Sequence, residues 1–89
     1  MKIPLKFTLG GIDWKVTEEN VLPTALGATS QQLAHVALLA DLPKQVKEQT
    51  YCHELVHAIL YSMGKPEHYE VFVDAFATFL HQYFKKHHK

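Results

Sequence analysis

The stretch from Tyr51 to Met63 constrains this chain more than any other. It holds His53-Glu54-Leu55-Val56-His57, two histidines four residues apart with a glutamate directly after the first. On a helix, residues four apart lie one above the other, so His53 and His57 can offer two imidazoles to one metal ion. Glu54 is about 100° further round, beside the metal's open position and outside its ligand set. Zn²⁺ suits such a site, because it accepts imidazole, prefers tetrahedral geometry and lowers the pKa of a coordinated water to about 7. Glu54 is then the base that takes the proton from that water. The neighbours Tyr51, Cys52, Leu55, Val56, Ala58, Ile59 and Leu60 are fillers for a nearly buried helix. Three polar residues held on one side of such a helix are costly without a partner.

Two histidines are too few, since a catalytic zinc normally keeps three protein ligands. A helix is expected over 43–63, with Pro43 in its first turn and Gly64 ending it. Pro66 opens a second helix over 66–86, densely apolar from Val71 to Phe84 and basic at its end. After so short a turn the two must pack antiparallel. If the turn centres on residues 64 and 65, His57 lies level with about residue 72, and Glu70 and Asp74 are each roughly 3 Å from that level. They are four apart and share a face. Glu70 is read as the third ligand and Asp74 as the group orienting a ligand histidine, with the swapped assignment also open and Glu67 a weaker alternative. His81 continues the stripe but lies about 14 Å further on.

The rest of the chain supplies a small sheet. Lys2 to Leu9 alternates apolar and polar residues, Gly10-Gly11 is a two-residue turn signal, and Ile12, Trp14 and Val16 alternate on the return. A β-hairpin over 1–17 is therefore expected, with Trp14 as a core anchor. Residues 18–29, with Asn20, Pro23 and Gly27, read as a connection. Ser30 to Ala40 fits either a helix capped by Ser30 or a buried strand over 33–39.

With 89 residues, 47% of them apolar, the chain makes one small domain with a modest core. A metal would help to hold a domain this short. Nine basic and nine acidic residues cancel, so no electrostatic grip on nucleic acid is expected. A single cysteine, Cys52, excludes an internal disulfide and fits a reducing cytoplasm. The first ten residues lack the apolar run of a secretory signal. No stretch approaches a membrane span, so no membrane partner is expected.

YCHELVHAILYSMG followed by EVFVDAFATFLHQYF resembles the zincin metallopeptidases, specifically the small bacterial and phage gluzincins of the ImmA/IrrE-like kind. Val73-Asp74-Ala75-Phe76-Ala77 is similar to their acidic, apolar second-helix stretch. The spacing of Glu70 and Asp74 is similar to that of thermolysin-type gluzincins, in which the glutamate binds zinc and the aspartate supports a ligand histidine. The resemblance spans about residues 29 to 84. It implies an α+β fold in which a small antiparallel sheet packs on the active-site helix, with a strand lying before that helix, and so selects strand for 33–39. It also implies a peptide or protein as substrate or partner, and hydrolysis of a peptide bond through Glu54. A zinc-stabilised interaction module without turnover is the alternative. Two features depart from the family: the link from His57 to Glu70 is short, and the chain is small.

Tyr61, His68 and His35 are candidates for an oxyanion donor. Cys52 is read as a small buried residue that could compete for metal. His87 and His88 are read as solvated.

Overall fold

The computed structural model describes residues 1–23 and 25–87. In chain order it has β1 (Lys6–Leu9), β2 (Ile12–Glu19), β3 (Gly27–Ser30), β4 (His35–Leu39), α1 (Lys44–Ser62) and α2 (Glu70–His87). The α+β class expected from the sequence is what the chain adopts. His88 lies outside the described residues.

β1 and β2 form the expected hairpin, with Leu9 opposite Ile12. The two glycines between them have φ of 56° and 82°, the paired positive values that a two-residue hairpin turn needs. Phe7 lies opposite Trp14, and their rings stack with centroids 6.0 Å apart.

The sheet differs from the expectation in two respects. It is mixed rather than wholly antiparallel: β2 pairs β4 in parallel, Val16 beside Val36, and the strand order is β1-β2-β4-β3. A parallel pair needs a crossover, so the chain leaves β2, runs to the far edge, and returns as β4 in the gap. The second difference is β3 itself, which falls in the stretch read as a connection. It pairs antiparallel with β4, Ser30 opposite His35. The strand expected over 33–39 covers residues 35–39.

α1 is packed on two sides. Trp14, Val16, Val36 and Leu38 point from the sheet toward its Tyr51, Cys52 and Val56, and Val73 and Ala77 of α2 complete the same core. α1 also packs against β3, β4 and α2. This double covering explains why three polar residues, Glu48, Thr50 and Glu54, are buried on one helix. At its end Gly64 has φ 77°, its N–H reaches the Tyr61 carbonyl at 3.0 Å, and the Lys65 N–H reaches Leu60 at 2.9 Å. These are the two bonds of a Schellman cap.

The second helix starts at Glu70, four residues later than Pro66 suggests. Residues 65–69 form an irregular turn that folds His68 back onto α1. No helix among the described residues is long and apolar enough to cross a membrane.

Candidate metal centre

The helical spacing places His53 and His57 on the side of α1 that faces the start of α2. Their Nε2 atoms lie 3.2 Å apart. Glu70, in the first turn of α2, reaches both: one carboxylate oxygen is 3.4 Å from Nε2 of His53 and the other is 3.4 Å from Nε2 of His57. Ligand atoms of His53, His57 and Glu70 all lie within 4.8 Å of one another, so the three could hold a metal ion.

The outer hydrogen bonds determine what those nitrogens present. Nδ1 of His53 lies 2.9 Å from Oδ1 of Asp74. A carboxylate only accepts, so this nitrogen carries a hydrogen, and in the neutral imidazole Nε2 keeps its lone pair. Nδ1 of His57 lies 2.6 Å from Nδ1 of His68, and Nε2 of His68 lies 2.6 Å from the Lys65 carbonyl oxygen. That carbonyl also only accepts. Neutral His68 therefore donates through Nε2 and accepts through Nδ1, and His57 donates from Nδ1. In their neutral forms the two histidines point Nε2 lone pairs at each other across 3.2 Å, with a carboxylate beside both. Either a metal ion among the three or a proton on one imidazole relieves this arrangement. Burial, with His53 close by, holds the His57 imidazolium pKa below its ordinary value, which favours the neutral ligand form.

Glu54 points to the other side. Its side chain is buried between α1 and β3, and Thr29 on β3 donates a hydrogen bond to Oε1 at 2.7 Å. Burial raises its carboxyl pKa, and the Thr29 bond offsets this only in part. β3 can approach so closely because its inward residue is Gly27. A Cβ there would stand 2.7 Å from Cγ2 of Thr50 and 3.0 Å from Cγ of Glu54. Beside it is a pocket of about 260 Å³, mixed in polarity, lined by Leu26, Gly27, Thr50, His53, Glu54 and Asp74, among others. Glu54 and His53 therefore open onto the same space.

The remaining sequence candidates fall elsewhere. Glu67 is exposed and outside the cluster. His35 is bonded to Thr17 at 2.6 Å on the sheet face turned away from α1, because Val36 and Leu38 take the inward positions. Tyr61 packs on the ring of His68, centroids 4.4 Å apart, which makes it a wall of the His57–His68 contact. His81 is bonded to Glu48 at 2.9 Å and to Gln49 at 3.0 Å in a separate cluster. Cys52 is fully buried, and burial beside Glu48 pushes its thiol up to about 12, so it is a core residue and not a competing ligand. His87 is exposed at the end of α2 and packs against the Tyr83 ring. Sequence reasoning missed Thr29, which is 25 residues from its partner, and it gave His68 a different task.

Comparison with protein-family models, with curated proteins and with solved structures gives no match.

Proposed function

We propose that the chain is a zinc-dependent metallopeptidase of the small zincin kind, with His53, His57 and Glu70 as ligands. The observation that carries this is the spacing of the three. For metal–ligand bonds of about 2.0–2.1 Å, a regular tetrahedron has edges of roughly 3.3–3.4 Å. The two Nε2 atoms are 3.2 Å apart, close to such an edge, and each has one oxygen of the Glu70 carboxylate, a different one in each case, at 3.4 Å. Asp74 and His68 hold the far nitrogens of the two histidines, as zinc-bound imidazoles require.

Zinc bound there supplies Lewis acidity toward a peptide carbonyl and toward water. The chain's own residues do the rest. Thr29 holds Oε1 of Glu54, which leaves Oε2 to accept a proton from the attacking water. The raised pKa makes Glu54 a stronger base when ionised, and lets it hold the proton it takes up until the leaving amine accepts it. β3 is the sheet edge beside this pocket, and a free edge can pair with an extended peptide. The substrate on this reading is a peptide or a protein segment.

The smallness of this pocket favours a second reading, a zinc-stabilised module that binds a protein without cleaving it. One experiment separates the two. Zinc-loaded protein and its Glu54→Gln variant are incubated with a mixed peptide library and the products are read by mass spectrometry. The peptidase reading requires cleavage that vanishes in Glu54→Gln while zinc stays bound. Absence of cleavage by the zinc-loaded wild type leaves the binding module.

A further inference from the structure

α2 carries a second surface, on the side away from the metal ligands. Val73 and Ala77 face α1, and Glu70 and Asp74 face the histidines. On the opposite flank Tyr69, Phe72, Phe76, Phe79 and Tyr83 form a continuous aromatic stripe, 45–79% exposed. Beside it lies an apolar groove of about 670 Å³, walled by Ile59, Leu60 and Met63 on α1 and by Phe72 and Phe76 on α2. At roughly 200 Å² of surface per aromatic side chain, the five rings alone expose on the order of 600 Å². With Met63 and Leu80 added, the patch approaches the roughly 800 Å² that each partner contributes to a stable interface. A monomer rarely exposes this much apolar surface in one place.

The order of the residues identifies the occupant. Counted from Phe76, the aromatics stand at −7, −4, 0, +3 and +7, with Leu80 at +4. The pattern reads nearly the same in both directions. An antiparallel pair of α2 helices related by a two-fold axis at Phe76 therefore sets Phe76 on its own copy, Phe72 against Leu80 and Phe79, and Tyr69 against Tyr83. Phe79 and Tyr83 of each copy then fill the groove of the other. The helix dipoles also oppose favourably. A closed two-fold contact is the commonest way a soluble chain covers such a face.

We infer that the chain forms an antiparallel two-fold dimer through the α2 aromatic stripe, with both metal centres facing outward. The test is sedimentation velocity of the full chain from about 1 to 300 μM, with zinc content measured in the same samples. Wild type should reach the dimer mass. Phe76→Glu and Phe79→Glu should each raise the dissociation constant at least about 100-fold at unchanged zinc content, as expected for central apolar contacts. Independently of these, Phe76→Cys in a Cys52→Ala background should oxidise to a covalent dimer, whereas Val71→Cys, on the far side of α2, should not. A wild type that stays monomeric to 300 μM overturns the inference. So does a dimer that survives both phenylalanine substitutions, or cross-linking through Val71→Cys rather than Phe76→Cys.

Discussion

Nδ1 of His57 and Nδ1 of His68 lie 2.6 Å apart, and the Lys65 carbonyl oxygen accepts from the far side of the His68 ring. A turn residue thereby dictates which nitrogen of a helix residue is free for a metal. His68→Ala should weaken zinc binding by about 10–100-fold, the usual cost of losing a group that orients a ligand histidine. Competition with a chromogenic chelator measures it. Unchanged affinity in His68→Ala would show that α1 alone sets the tautomer of His57.

Glu70 and Asp74 should separate by metal affinity. Glu70 faces both Nε2 atoms, whereas Asp74 reaches only Nδ1 of His53. Glu70→Ala should abolish tight binding. Asp74→Asn should bind zinc with an affinity lower by about 10–100-fold. Isothermal titration of the two variants decides, and the reverse ranking would move the ligand role to Asp74.

The metal-free protein should lose stability on acidification because of His57. Its folded pKa is below the ordinary 6.5, so the unfolded chain binds more protons in the window between the two values. The stability His57 contributes is thus full above about pH 6.5 and lost as pH falls through its folded pKa. Melting temperatures of chelator-treated protein between pH 7.5 and 5 should fall, and His57→Gln should flatten that part of the profile.

Glu54 has the opposite sign. Its folded pKa is above 4.5, so its contribution is full below that value and lost as pH rises through the folded pKa. At neutral pH its burial therefore costs stability. Glu54→Gln keeps an acceptor for Thr29 and removes the buried charge. It should stabilise the fold at pH 7.5 by about 0.5–2 kcal/mol, with a gain that shrinks toward pH 4.5. Denaturant melts at both pH values test this.

Gly27 should tolerate no side chain. Gly27→Ala places a methyl 2.7 Å from Cγ2 of Thr50 and should cost about 1–3 kcal/mol, the usual penalty of overpacking. Thr50→Ser removes that methyl and should recover part of the loss in the double variant.

The parts of the fold that were legible in the sequence are those written in local periodicity. Alternation marked β1 and β2, the glycine pair marked their turn, and the spacing of His53 and His57 marked a helix face. β3 carried no such mark. Its inward residue is Gly27, and a strand whose buried position is a glycine shows no apolar alternation. The parallel pairing of β2 with β4 was also hidden, because residues in sequence do not name their cross-strand partners. The start of α2 was displaced because Pro66 fits a helix start locally, while the chain instead uses residues 65–69 to return His68 to His57. The clustering of His53 and His57 with the start of the second helix was legible through helix geometry, which left Glu70 and Asp74 nearly interchangeable. The hydrogen bond that places Glu54 was not, since it joins residues from two separate elements.

The three metal-facing residues all belong to one helical hairpin, and the first and last of them, His53 and Glu70, are close in the chain. Closing so short a loop is fast and costs little chain entropy. The helical hairpin that carries all three can therefore form before the β2–β4 crossover is complete. Thr29 and Gly27 arrive with the sheet, the slower, non-local part of the topology. The cluster of His53, His57 and Glu70 is thus assembled from local structure, whereas the setting of Glu54 waits on the sheet.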